Sequence, residues 1–260
     1  MTEQQDNEVA ADFTRPWGNR RGIESIDRNA TVVLVKAPLD ALSDVLATTA
    51  IETRRNVLGS EIESSGYFEL AYQIRGQAWS IMVPDDRIEP VNTGGAIVPS
   101  AAQLSQQLQQ PVIKFDVSDT AGVLGYELFE GGEIVEYFAG SEDESTDWSD
   151  ADGLPTQRYV LMPYPDDDPE AKQVAYFWSR RRKVTAKEIG NIWNFAERFM
   201  RESGAYDPAI DAAYLLGSYS LKRGGRYQVQ NLGHTLVLRS NRKVTAVPDL
   251  IRVDYFRFGN

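Results

Sequence analysis

Cysteine is absent from this chain of 260 residues, and histidine occurs once, at His234. Without cysteine there are no disulfides, no thiolate nucleophile and no thiolate-held metal. With one imidazole there is no histidine pair for a metal and no HExxH motif, and a catalytic triad would have to be built around His234 alone. No GxSxG elbow supplies a partnered serine, and no GxxxxGK[ST] loop supplies a phosphate cradle. Long apolar runs are also missing. The best, Thr31 to Ile51, is interrupted by Lys36, Asp40 and Asp44, well short of the ~20 apolar residues of a membrane-spanning helix. The start, MTEQQDNEVAADF, has neither a basic nor an apolar leader region. The expectation is a cytoplasmic chain with no membrane insertion.

What is present is charge, unevenly spread. The net charge is -11. Residues 1–140 hold 21 acidic and 10 basic side chains, residues 141–170 hold 10 and 1, and residues 171–260 hold 7 and 16. An acidic front and a basic back point to electrostatic docking, within the molecule or onto a partner. Hydrophobic content of 42% is ordinary for a folded globular protein.

Periodicity gives the elements. Residues 1–30 lack it and read as an extended lead-in, with Trp17 available to dock on the body. Thr31–Val35 is a β-branched apolar run, a buried strand. Leu39, Leu42, Val45 and Leu46 follow Pro38 at helical spacing. Phe68, Leu70, Tyr72 and Ile74 alternate with polar neighbours, and Arg75-Gly76-Gln77 turns the chain towards Trp79, Ile81 and Val83. Ser100 and Gln103 form a capping box for a helix carrying Ala101, Leu104 and Leu108, which Pro111 ends. Ile113, Phe115 and Val117 alternate next. Leu124–Glu130 and Glu133–Phe138 flank Gly131-Gly132, a hairpin signal.

Residues 141–170 are acidic and proline-rich with one apolar island, Tyr159–Met162, and read as a surface insertion or linker. Val174–Trp178 is a strand. Thr185 and Glu188 make a second capping box, predicting one helix over 187–202 with Ile189, Ile192, Trp193, Ala196, Phe199 and Met200 on one face and Gly204 at its end. Asp207-Pro208 opens a shorter helix to about Leu216. Arg226–Gln230, His234–Arg239 and Leu250–Phe258 read as strands. The fold expected is α+β, a mainly antiparallel sheet with helices packed on one side. Residues 31–140 make an α+β core, 141–170 an acidic insertion, and 171–260 a basic segment that completes the same domain.

Chemical motifs are few. Asp119-Thr120-Ala121-Gly122 matches a DxxG box, but without a phosphate cradle it reads as turn chemistry. The acidic runs Glu142–Glu144, Asp147–Asp152 and Asp166–Asp168 have the wrong residues for a calcium loop, with Trp148 and Tyr159 at ligand positions. They read as solvated charge, and neither a metal nor a cofactor is expected. Paired carboxylates for glycoside hydrolysis have no spacing that selects them.

The stronger signal is basic and aromatic. Trp178 runs into Arg180, Arg181, Arg182 and Lys183, and Lys222, Arg223, Arg226 and Tyr227 form a second cluster at a predicted hairpin tip. Such groups stack bases and neutralise phosphates, or meet carboxylates of residues 141–170 or of another protein. The acidic remainder of the chain repels a polyanion. The function expected is therefore a non-enzymatic protein–protein binding module: an adaptor, an assembly factor or an immunity-type antagonist. Single-stranded nucleic acid is the less favoured partner. A carboxylate enzyme without a recognisable motif is the remaining alternative.

Overall fold

A computed structural model describes residues 30–57, 60–63, 67–74, 76–83, 98–118, 121–149, 153–161, 172–205, 226–228, 230–232, 235–237 and 250–259. The elements are β1 (Ala30–Val35), α1 (Leu39–Ala47), β2 (Glu52–Arg54), β3 (Glu61–Glu63), β4 (Phe68–Ile74), β5 (Ser80–Val83), α2 (Ala101–Leu108), β6 (Val112–Ser118), β7 (Val123–Glu130) and β8 (Glu133–Ser141). They continue with β9 (Gln157–Leu161), β10 (Gln173–Ser179), α3 (Ala186–Ile189), α4 (Ile192–Glu202), β11 (Arg226–Gln228), β12 (Gln230–Leu232), β13 (Thr235–Val237) and β14 (Leu250–Arg257).

Ten strands form one sheet in the order β2-β14-β4-β5-β1-β6-β7-β8-β10-β9. Every pairing in it is antiparallel. This is an α+β architecture dominated by sheet. Two small ladders, β11 with β3 and β12 with β13, stand apart from it.

The expectation of helices on one side is corrected. In β1, Val32 and Leu34 belong to a core shared with Ile192, Phe195, Ala196 and Met200 of α4. Val33 and Val35 belong to another, shared with Leu39, Leu42 and Leu46 of α1 and Leu104 of α2. Successive strand side chains point to opposite faces, so α1 and α2 cover one face and α4 covers the other. The physical reason lies in β1 itself, where consecutive β-branched residues leave both faces apolar, and each must be buried.

Local signals act as expected in several places. The Ser100–Gln103 capping box is complete. Gly131 and Gly132 have φ of 59° and 92°, the left-handed pair that a two-residue hairpin needs. The helix expected over 187–202 is instead two. Thr185 and Glu188 cap α3 as expected, but Gly190 at φ 67° ends it after one turn. Asn191 then accepts from the backbone N–H groups of Trp193 (2.8 Å) and Asn194 (3.1 Å), starting α4 afresh. The stretch read as an acidic insertion also contains β9, where Tyr159 and Leu161 face the α4-side core. The segments around Trp17, Asp166–Asp168, Asp207-Pro208 and His234 lie outside the described residues.

Asp254, fully buried on β14, ties α1, residues 55–56 and β14 together. It accepts from Ser43 Oγ at 2.8 Å, Arg55 Nη1 at 3.1 Å, the Asn56 N–H at 2.8 Å and Arg252 Nε at 3.2 Å. Removing it leaves the Ser43 hydroxyl and the Asn56 N–H without this acceptor and takes one of two carboxylate partners from each of Arg55 and Arg252, which keep Asp44 and Asp40. Asp254→Ala is expected to cost about 3–5 kcal/mol in urea unfolding, whereas the exposed Asp44→Ala, which removes an Arg55 partner at the surface, costs less than about 1 kcal/mol. Equal losses would remove Asp254 from this role.

Candidate functional site

The sequence-derived basic cluster begins where β10 ends. Ser179 sits opposite Glu136 of β8, and the Arg180 N–H continues the ladder by donating to the Val135 carbonyl at 2.9 Å. This lays the arginine run along the β7–β8 hairpin. The tight Gly131-Gly132 turn places Glu130 directly across from Glu133, two like charges that repel each other unless compensated. Arg181 pairs with Glu130, and Arg180 Nη2 with Glu133 at 3.1 Å.

Arg182 goes inward. Its Nε and Nη2 reach Glu136 Oε2 and Oε1 at 2.9 and 2.5 Å, a two-pronged grip on a carboxylate that is 4% exposed. Ser179 Oγ and Tyr126 Oη each donate to Glu136 at 2.9 Å. The guanidinium lies 5.5 Å from the ring centroids of both Phe177 and Phe195. Tyr126 stacks on Phe199 with centroids 3.7 Å apart. Burial first, then the Glu136 charge, pushes the Tyr126 hydroxyl well above its ordinary titration range; the hydrogen bond to Glu136 holds Arg182 protonated.

The arginines are therefore matched by carboxylates of the preceding hairpin, Glu130, Glu133 and Glu136, not by residues 141–170. Trp178 is half-buried with Arg180 5.8 Å over its ring, and Lys183 is exposed. Arg226 and Tyr227 lie on β11 opposite Glu63 and Ile62 of β3, in a separate ladder. Lys222 and Arg223 lie outside the described residues. The acidic run is tied down by turns. Asp143 accepts from Ser145 and Asp147 from Ser149, and these bonds hold both carboxyls below the usual range. Glu142 accepts from the Trp193 indole at 2.8 Å. Among the described residues no group of three or more acidic or histidine side chains could hold a metal ion. In the DxxG string, Asp119 and Thr120 lie outside the described residues; the Ala121 N–H bonds Ser118 Oγ at 3.2 Å, and Gly122 has φ 60°.

A second feature was missed by sequence reasoning. On the face that carries α1 and α2, a cavity of about 300 Å³ lies over β1, β6, β7 and β8, lined by Thr31, Asp116, Gly125, Glu127, Tyr137 and Trp148 among others. Its one signal in the sequence was Gly125 inside a strand, a mark of close backbone approach. A Cβ there would lie 2.7 Å from the Phe138 carbonyl oxygen. No known family model, curated protein or solved structure matches this chain.

The buried cluster yields a pH prediction. An acid whose folded pKa is raised stabilises the fold fully below its unfolded pKa, about 10 for tyrosine, and that contribution is lost as pH rises towards the folded value. Tyr126→Phe is expected to cost about 1–2 kcal/mol at pH 7 through the lost hydrogen bond, and to flatten the decline in stability above about pH 10. Urea unfolding across that range checks both; an unchanged alkaline slope contradicts the assignment.

Proposed function

We infer that this protein is a non-enzymatic protein-binding module, an adaptor, assembly factor or immunity-type antagonist, that docks through the charge mosaic around Trp178, Arg180, Arg181 and Lys183. The observation that carries this reading is the residue-by-residue pairing of Arg180, Arg181 and Arg182 with Glu133, Glu130 and Glu136. A phosphate backbone is best met by a run of cations without nearby carboxylates. Here each arginine has an acid beside it, so an approaching polyanion meets repulsion with every attraction. A protein surface carries both signs and can match such a mosaic.

The two outer pairs also suit exchange. Arg180 and Glu133 are 52% and 69% exposed in their side chains, and exposed pairs contribute only ~0–1 kcal/mol. They can be surrendered to a partner at little cost to the fold. The inner Arg182–Glu136 pair serves as the fixed anchor that aims them. Exposed charges of this kind set orientation and encounter rate.

A charge swap isolates the surface from the fold. Arg180→Glu combined with Glu133→Arg keeps the internal ion pair and reverses the pattern a partner meets. Stability is expected to change by less than about 1 kcal/mol, while capture of a specific partner from source lysate falls by about tenfold or more. Undiminished capture would overturn the surface assignment. Tight, salt-sensitive binding of single-stranded DNA at about 50 mM salt would replace this reading with the polyanion one.

A further inference from the structure

We propose that the outer edge of β9 binds an extended segment of a partner polypeptide, which adds to the sheet as one more antiparallel strand and carries an acidic side chain for Lys183. This rests on the reading of the chain as a protein-binding module and gives the form of the segment it takes.

Hydrogen-bond parity shows which groups this edge offers. β9 is the last strand of the large sheet and pairs only with β10 among the described residues. The Arg180 N–H donates to the Val135 carbonyl, one rung beyond the Ser179–Glu136 pair. Bonded and non-bonded pairs alternate in an antiparallel ladder, so Val174, Tyr176 and Trp178 bond β8. Gln173, Ala175 and Phe177 therefore bond β9, at Leu161, Tyr159 and Gln157. The bond from the Glu142 N–H to the Gly122 carbonyl fixes the same parity from the β7 side of β8. The backbone N–H and C=O groups of Arg158 and Val160 are left pointing away from the sheet, and among the described residues none bonds them.

The edge lacks its usual guard. Edge strands are commonly screened by a charged side chain, but the Arg158 guanidinium is drawn back over β10. Its Nε donates to Tyr176 Oη at 3.2 Å and its Nη2 to the Glu144 carbonyl at 2.7 Å. Val160, on the same face, is 45% exposed, one of three exposed large apolar side chains among the described residues. On the opposite face, Tyr159 Oη donates to the Val184 carbonyl at 2.8 Å, tying β9 to the chain entering α3. The edge is thus held in place before any strand docks on it.

Charge and continuity choose the occupant. The Val184 contact sets its neighbour Lys183 over the α4-side face of β9. Arg180, Arg181 and Arg182 each have a carboxylate, whereas Lys183 is exposed and has none among the described residues. A strand paired with Arg158 and Val160 places every second side chain on the Lys183 face and the others beside Val160. Acidic residues suit the first set and apolar residues the second. A second copy of β9 would bring Tyr159 and Leu161 to the Lys183 face, with no acid, and is the poorer occupant. The edge also runs into the charge mosaic. β9 reaches only to Gln157, opposite Phe177, while β10 continues to Ser179, so a segment leaving β9 at that end arrives beside Trp178 and Arg180.

The test is titration of the ¹⁵N-labelled full chain with acetyl-Val-Glu-Val-Glu-Val-amide, following the backbone amides of Arg158 and Val160. Both are expected to shift, with a Kd of roughly 1 mM or tighter. In antiparallel pairing the valines bond β9, so N-methylation of the central valine is expected to abolish the shifts and N-methylation of a glutamate to leave them. The peptide with lysine in place of glutamate is expected to bind at least about threefold more weakly, a preference that Lys183→Ala removes. Val160→Pro deletes an N–H that the β9–β10 ladder does not use and is expected to abolish binding; the N-methylated peptides need no variant should this one misfold. Absent shifts at both amides, equal binding of the valine-methylated peptide, or a glutamate preference that is missing or survives Lys183→Ala would each overturn the proposal. So would a dimer of the free chain that Val160→Pro dissolves. Peptide binding is expected to survive the Arg180–Glu133 swap, so the mosaic and the edge can fail separately.

Discussion

A buried carboxylate with its full complement of donors organises one end of this molecule. Glu136 sits on a strand whose outer turn of chain would otherwise carry three acids in close succession, Glu130, Glu133 and Glu136. Burying it unpaired would cost several kcal/mol. Arg182, Ser179 and Tyr126 remove that penalty, and in doing so they fix where β10 ends and how the arginine run leaves it. The outer pairs then follow from the hairpin's geometry. The first basic cluster of the sequence is thereby matched locally: Arg180, Arg181 and Arg182 meet the acids immediately across the ladder.

The sheet imposes the second constraint. Ten antiparallel strands with apolar residues on both sides need two covers, and the chain supplies α1 with α2 on one face and α3 with α4 on the other. On the α1 side the helices reach across β4, β1 and β6, and the segment around Trp148 and Leu154 covers β8 and β10. Between these two covers lies the trough at Gly125 and Ala139. The cavity is thus a consequence of how the face is roofed, and Gly125 is required by backbone approach whatever occupies the space above it.

Much of this was legible in the sequence, and the misses have physical causes. Alternation announced β4 and β6 because each has a clean period of two bounded by turn residues, and the Gly131-Gly132 pair announced the β7–β8 hairpin. The Ser100 and Thr185 capping boxes were readable because their chemistry is local. The break at Gly190-Asn191 was passed over because the apolar stripe from Ile189 to Met200 stays in phase across it, although glycine followed by asparagine carries both a stop and a new cap. The second helical cover was missed because four consecutive apolar residues, Val32–Val35, signal burial without saying that two separate cores divide them. Tyr159–Leu161 was legible as apolar but not as a strand, since its partner β10 follows a further acidic stretch. The pairing of Arg180–Arg182 with Glu130, Glu133 and Glu136 depends on register across about fifty residues, which periodicity does not encode. The cavity residues Thr31, Asp116, Glu127 and Trp148 come from four separate segments and carried no motif.

The central claim is that the arginine run is held by the hairpin's own carboxylates, with Arg182 and Glu136 as its anchor. A double-mutant cycle in urea, using Arg182→Met, Glu136→Gln and the pair together, measures this most directly. Each single change is expected to cost about 3–5 kcal/mol by stranding its partner, and the double change is expected to cost little more than either alone. Additive losses, or single losses below about 1 kcal/mol, would mean that the two groups are not coupled and that the account of this surface is wrong.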